Sequence, residues 1–408
     1  MAKDKRALKD EYELTKKQYN ENTSDAVISE RYAGLCMDLG KFQEAEKIYR
    51  TLIENSPEMS KYNYRLGKVF YALDKFDLAF EQQSFALQKW SGFNWAKLEK
   101  IKCLMKLNKG REAEEMIDEL ESSIIDKVKD ALLFKNLLKV KIDLLVDKKA
   151  FEKALIVCKI LIELEPMDGY SHYDCGKILF ELKEYDRALT CFYEADKLLK
   201  QNYTKDKIAT CLAFLDRKQE AIDIYKMIPS QRMDDYIIQH FGRLYLSIGD
   251  YENAKTQLKL AIVKGGKSIA KSHFYLGLVY EKLHLYRNAL NEFNIAQEKK
   301  KNEYKSDFVE ALERIDYINK NITIDENELI EPYVVDENGK SKKEHIGVVE
   351  KYFDDKGYGF IKEDQKNKYF FHIKNCSYKT PKENDRVMYI LIDGKKGKEA
   401  IQVELLKK

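Results

Sequence analysis

Leu66-Gly67-Lys68-Val69-Phe70-Tyr71-Ala72-Leu73-Asp74-Lys75-Phe76-Asp77-Leu78-Ala79 decides the architecture of most of the chain. Apolar residues recur in it at helical spacing, with small residues at Gly67 and Ala79. The alanine has counterparts at Ala45, Ala113, Ala154, Ala188, Ala221, Ala254 and Ala289, giving spacings of 34, 34, 41, 34, 33, 33 and 35 residues. Twelve residues before many of them sits another small residue (Ala33, Gly67, Gly176, Gly242, Gly277), and seven after stands a third (Ala86, Ala195, Ala261, Ala296). Pro57 and Pro166, twelve residues past Ala45 and Ala154, mark places where a helix must stop. Such a period describes antiparallel helix pairs that approach closely where side chains are small and stack on their neighbours.

With Leu66–Ala79 and with Tyr275-Leu276-Gly277-Leu278-Val279-Tyr280, the chain resembles the tetratricopeptide repeat family. About eight units are read across 26–300, with a helical cap over 1–25 and a capping helix over 301–320 that carries Tyr304, Phe308, Leu312, Ile315 and Ile318. The third unit has Ile101 at the first small position, and the 41-residue spacing after it adds seven residues, which predicts a longer second helix there and a longer first helix next. Ile228-Pro229 predicts a shortened second helix in the sixth unit. The resemblance specifies fold and says little about a partner.

It also implies that the first helix of each unit lines a concave surface. The inward positions carry Tyr64, Trp95, Tyr170, Tyr173, Tyr203, Tyr236 and Phe274, beside Lys61, Lys68, Lys102, Lys106, Lys139, Lys177, Arg243 and Lys271. Two readings stay open. One is a groove for an acidic peptide or, less commonly, a nucleic-acid strand. The other is helix packing beside an ordinary solvated face, which a chain with 27 Tyr and 72 basic residues shows by chance.

Composition agrees with a mainly α chain: 44% apolar and 35% charged residues with 5 Pro and 18 Gly among 408 exclude collagen-like and low-complexity classes. The net charge of +3 is too small to attract nucleic acid or membrane by the whole molecule, so such a partner needs a local patch. No apolar run approaches the ~18 residues of a membrane helix, and Met1-Ala2-Lys3-Asp4-Lys5-Arg6 does not open a secretory signal. Cys36, Cys103, Cys158, Cys175, Cys191, Cys211 and Cys376 form no CxxC pair, which predicts reduced thiols in a cytoplasmic compartment and no metal site.

From Asn321 the helical pattern yields to Asp325-Glu326-Asn327-Glu328, Glu331-Pro332, the β-like Tyr333-Val334-Val335 and a turn at Asp336-Glu337-Asn338-Gly339, a linker over 321–345. It is acidic, with Lys340, Lys342 and Lys343 basic after it, and His345 is expected to be solvated. Beyond it lie five short alternating runs, 347–349, 359–362, 369–373, 386–391 and 400–405, which suggest a small barrel of the OB type. Asp393-Gly394 suits the last hairpin turn, and Pro381 before Asn384-Asp385 suits the connection into the fourth strand.

Over 346–408 the chain resembles the cold-shock domain family. Lys356-Gly357-Tyr358-Gly359-Phe360-Ile361 matches the family's first RNP motif and Tyr369-Phe370-Phe371-His372-Ile373 its second; Gly347 and Gly397-Lys398-Glu399-Ala400 match the opening glycine and closing strand. Alternate residues of adjacent strands share a face, so Tyr358, Phe360, Phe370 and His372 can form a platform on which unpaired bases are expected to stack, each worth about 1–3 kcal/mol. Gly357 and Gly359 are expected to keep that surface open, and Lys356, Lys362, Lys368 and Lys374 to meet phosphates. Fourteen basic and ten acidic residues in 346–408 leave +4, which predicts moderate, salt-sensitive binding. Where the family carries an exposed tryptophan this chain has Lys351, and where it carries an aromatic after the histidine it has Ile373, so the platform is shortened. Tyr352 and Phe353 are the candidates to fill in, although Tyr352 aligns with a core position.

No Walker loop, GxSxG elbow, HExxH or dinucleotide GxGxxG occurs, and pairs such as Glu114-Glu115 and Asp234-Asp235 fit ordinary charged helices. The expectation is a non-enzymatic, cofactor-free cytoplasmic adaptor, its barrel holding single-stranded RNA or DNA and its α-solenoid a protein. A protein-only scaffold whose barrel docks protein is the competing reading.

Overall fold

In a computed structural model, residues 5–124, 126–324, 344–363, 367–376, 381–394 and 397–406 are described. They divide into two compact units, Met1–Leu199 and Lys200–Lys408. The first holds α1 (Lys5–Glu21), α2 (Ala26–Asp38), α3 (Phe42–Asn55), α4 (Ser60–Ala72), α5 (Phe76–Lys89), α6 (Asn94–Lys106), α7 (Gly110–Ser123), α8 (Ala131–Asp147), α9 (Phe151–Leu164), α10 (Gly169–Glu181) and α11 (Tyr185–Leu199). The second holds α12 (Asn202–Phe214), α13 (Lys218–Lys226), α14 (Asp235–Ser247), α15 (Tyr251–Lys264), α16 (Ile269–Lys282), α17 (Tyr286–Tyr304), α18 (Val309–Asn321) and a five-stranded barrel. The helices pack in sequential pairs, the arrangement of an α-solenoid.

Every one of the eight repeat alanines has 0% of its surface exposed. The glycines twelve residues before them explain why. A Cβ on Gly176 would stand 2.7 Å from the Phe192 ring, on Gly277 2.6 Å from Phe293, on Gly242 2.7 Å from Leu258 and on Gly67 2.3 Å from Gln83. Each partner lies sixteen residues on, so the two helices of a pair touch at one fixed pair of positions, small against large.

The turn inside each pair repeats as well. Gly40, Asp74, Asn108, Lys149, Lys183, Asp216, Gly249 and His284 all have φ between 56° and 79°. The next N–H then bonds a carbonyl five residues back, as Lys75 does to Phe70 (2.9 Å) and Ala150 to Leu145 (2.8 Å), which ends the helix and sets the reversal.

Helix α1 joins the first pair through Tyr12 and Tyr32, whose hydroxyls both donate to Glu44 while Lys41 donates to Tyr12 at 2.7 Å. Burial opposes ionisation of Glu44, but those hydroxyls outweigh it and hold the carboxyl below its ordinary range. All seven cysteines are free thiols, and burial pushes Cys36, Cys103 and Cys211 up to about 12.

The extra seven residues do not lengthen both helices. Helix α7 has 14 residues, the length of α3, α5 and α9, whereas α8 has 17 against 13 in α4, α6 and α10. The remainder enters the connection after Ser123, which Ile124 anchors in the core at 4% exposure. Helix α13 is short, at 9 residues, and Ile228 is buried after it. Tyr304 closes α17 instead of opening the last helix, and Phe308 precedes α18; Lys305, in left-handed conformation, separates them.

Strands β1 (Glu344–Phe353), β2 (Tyr358–Lys362), β3 (Lys368–His372), β4 (Arg386–Gly394) and β5 (Gly397–Leu405) close a barrel in the order β1-β2-β3-β5-β4, antiparallel except between β3 and β5. Val349, Ile361, Phe371, Val387, Tyr389, Ala400 and Val403 fill it. Asp393 and Gly394 belong to β4 and pair with Lys398 and Gly397, so they are strand residues and not the turn expected of them; residues 395–396 lie outside those described. His345 is not simply solvated: it lies in β1, bonds Glu363 at 2.7 Å and stacks on Tyr389. The acidic stretch, Tyr333-Val335, the turn to Gly339 and the three lysines of the linker also lie outside the described residues.

The small-against-large contact makes opposite predictions for two helical glycines. Gly277→Val forces two methyl groups toward Phe293 and should destabilise by ~2 kcal/mol. Gly34→Ala, whose Cβ meets nothing within 4 Å, should stabilise by ~0.5–1 kcal/mol through helix propensity. Urea unfolding of both variants checks this.

Candidate nucleic-acid interface

Strands β2 and β3 build the site. Their register sets Tyr358 opposite His372 and Phe360 opposite Phe370, and Gly359, Ile361 and Phe371 alternate with them toward the core. All four expected platform residues therefore share the outer face, each half-buried. The rings touch: Tyr358 lies 5.5 Å from Phe370 and 6.2 Å from Phe360, and Phe360 lies 6.0 Å from Phe370. Such contacts fix the rings before any ligand arrives. His372 Nδ1 accepts the backbone N–H of Lys374 (3.2 Å), which places the proton of the neutral ring on Nε2.

The face is larger than the motifs indicate. The β1–β2 register slips between Val349 and Lys351, a bulge at Glu350. Strict alternation after the buried Val349 would send Lys351 and Phe353 inward. The bulge reverses this: Tyr352 turns in and stacks on Phe371 (6.1 Å, 14°), while Phe353 turns out to lie 5.3 Å from Tyr358. Phe353 is thus a fifth platform residue, with Lys351 and Lys356 over its ring at 5.1 and 5.8 Å. The sequence signal that reveals the bulge is Lys351, a cation at a position due inside the barrel.

Gly357 and Gly359 do other work than keeping the surface open. Gly359 points inward, where a Cβ would stand 2.5 Å from the Lys351 carbonyl and 2.7 Å from the Phe371 ring; it permits the close approach of β1 and β2. Gly357 takes φ +64° in the turn into β2. Lys351, Lys356 and Lys374 are exposed around the rings, and Lys362 is half-buried. Lys368 is engaged by Glu350 at 2.7 Å, an exposed pair worth ~0–1 kcal/mol that a phosphate can displace. Ile373 leaves β3 for a single 3-10 turn, donating its N–H to Gly357 at 2.8 Å.

The family model for the 'Cold-shock' DNA-binding domain matches residues 345–406, and tetratricopeptide repeat models match 37–92 and 237–262. The chain carries tetratricopeptide repeats followed by a cold-shock domain. No curated protein matches it. Among solved structures it is similar to a human IFIT1 dimer with PPP-AAAA, at 17% identity and a TM-score of 0.51 over 77% of each chain. A human IFIT1 dimer with m7Gppp-AAAA gives 16% identity and 0.51 over 77% of this chain and 76% of that one. The likeness is one of fold.

On the tetratricopeptide repeats of the first unit, Tyr64 is half-buried 4.9 Å from Phe93, which stacks on the exposed Trp90 at 4.8 Å. Trp95 is half-buried, Tyr170 is 59% exposed, and Tyr173 packs on Phe192 at 5.6 Å. Many of the lysines are already paired: Lys61 with Glu30, Lys102 with Glu99, Lys139 with Asp168, Lys177 with Asp174. Lys68 lies over Tyr64 at 5.7 Å, and Lys106 is exposed. In the second unit Tyr203 is half-buried, Tyr236 is 43% exposed, Phe274 packs on Phe293 and Phe308, Arg243 lies over Tyr275, and Lys271 is exposed. Phe274 is thus a packing residue. Among the described residues, no helix is long and apolar enough to cross a membrane.

Phe353→Ala should weaken single-stranded RNA binding about fivefold or more without lowering the melting temperature. Tyr352→Ala should destabilise the barrel by ~2 kcal/mol. Fluorescence anisotropy and thermal denaturation of the two variants distinguish these roles.

Proposed function

We propose that this protein is a non-enzymatic, cytoplasmic adaptor that holds single-stranded nucleic acid, RNA in preference to DNA, on its cold-shock domain and a protein partner on its tetratricopeptide repeats. The observation that carries it is the outer face of β1–β3. Phe353, Tyr358, Phe360 and Phe370 form a contiguous ring surface with Lys351 and Lys356 beside it. Rings stack on any base and lysines follow the phosphates, so binding is tolerant of sequence and weakened by salt.

The mechanism is effective concentration. A tether between two modest sites makes the second encounter intramolecular, at an effective concentration set by the length of the tether, without a new contact. Nothing in this role calls for bond chemistry. His372 supplies an Nε2–H donor and a stacking ring, with its Nδ1 occupied by the Lys374 amide.

Anisotropy of the intact chain with single-stranded RNA and DNA at two salt concentrations tests the nucleic-acid half. Phe360→Ala with Phe370→Ala should reduce affinity at least about tenfold. Wild-type binding that is absent in a folded chain would move the reading to the protein-only scaffold. Capture of protein partners after nuclease treatment tests the other half, because partners held by the repeats survive destruction of RNA and DNA.

A further inference from the structure

The repeat alanines index equivalent positions in successive units. Eleven residues before Ala79, Ala113, Ala154 and Ala188 stand Lys68, Lys102, Asp143 and Lys177, one on each of α4, α6, α8 and α10. A lysine row is interrupted by one aspartate, in the unit whose first helix is lengthened. One turn further along their helices stand Lys106 and Asp147. Lys102 and Lys106 thus face Asp143 and Asp147 across a cavity of about 510 Å³, whose other walls are Tyr71, Met105, Val140 and Val146.

Opposite charges face each other here without joining. Lys102 is held by Glu99 at 3.0 Å. Lys106, Asp143 and Asp147 have no ion-pair partner within 4 Å among the described residues. Solvent reaches Asp143, yet the protein walls crowd it, and that burial, with Asp174 adding like charge, raises its carboxyl above the ordinary range. Burial likewise lowers the Lys68 ammonium. Unpaired charges of both signs that line one cavity and are still reached by solvent are open to an incoming group of opposite sign.

We propose that this slot between α6 and α8 docks a protein segment that carries a basic side chain next to an acidic one. The basic group reaches Asp143 and Asp147, its aliphatic stem lies along Met105, Val140 and Val146, and the acidic group reaches Lys106. A polyanion is disfavoured, because Asp143 and Asp147 confront phosphates across the cavity from Lys106, and Glu99 already neutralises Lys102. This deepens, and rests on, the reading that the repeats dock a protein.

The probe is a fluorescein-labelled peptide of alternating Lys and Glu, measured by anisotropy with the full chain. Asp143→Lys should weaken it at least about tenfold and raise affinity for an oligo-Glu peptide. Lys106→Asp combined with Asp143→Lys exchanges one unpaired charge across the slot and should restore the alternating peptide, which a merely structural role for Asp143 does not predict. Circular dichroism confirms that the variants fold. Equal affinity of wild type and Asp143→Lys, or no binding of the peptide by wild type, overturns the slot. So does displacement of the peptide by oligo-U that Lys106→Glu abolishes, which assigns the site to nucleic acid. Nuclease-treated capture separates the two levels of failure. Partners retained equally by wild type and Asp143→Lys leave protein docking intact and overturn the slot, whereas no partner from either overturns protein docking itself.

Discussion

Helix pairing in this protein depends in four pairs on one contact, at Gly67, Gly176, Gly242 and Gly277: a residue with no side chain on the first helix against a larger one on the second. Gly176 against Phe192 and Gly277 against Phe293 show its geometry, with less than 3 Å between an imagined Cβ and the ring. Because the backbone is that close, the contact fixes the relative rotation of the two helices. Everything else on those first helices then has a determined direction, including Lys68 on α4 and Lys177 on α10. The left-handed residue that closes each turn, followed by the reach-back hydrogen bond, holds the helix ends in the same register from unit to unit.

That contact is also why so much of the fold is legible from residues alone. Ala45 through Ala289 recur because nothing larger fits, and all are fully buried. The turns are far less legible. The left-handed position is glycine only at Gly40 and Gly249, and elsewhere Asp, Asn, Lys or His accepts a conformation that disfavours it by ~1–2 kcal/mol. Helix packing outweighs that local preference, so the position carries no consistent residue type. The seven-residue insertion divides between α8 and the connection before it for a similar reason: spacing records how many residues are added, whereas packing decides where they go.

In the barrel, the face was readable and its extent was not. The RNP-like motifs contain the alternation that brings Tyr358, Phe360, Phe370 and His372 to one side. The bulge at Glu350 involves no glycine, and it exchanges the roles of Tyr352 and Phe353. Reading Gly359 as an opener of the outer face has the same origin. Strand alternation with a hidden irregularity gives no indication that the missing side chain is needed inside, against the Lys351 carbonyl and Phe371.

The cold-shock domain and the repeats differ in their electrostatics. The cold-shock domain exposes lysines around neutral rings, so its attraction to a polyanion grows as salt falls and depends little on sequence. The repeats pair most of their groove lysines with carboxylates of their own, which cancels that long-range attraction and leaves only short-range, geometrically specific charge contacts. In the proposed adaptor, a strand of nucleic acid drawn to the barrel would gain little by moving to the repeats, and a mixed-charge protein segment would gain little by moving to the barrel. Two such ligands would not compete, which is the physical requirement for the proposed tether to act through effective concentration.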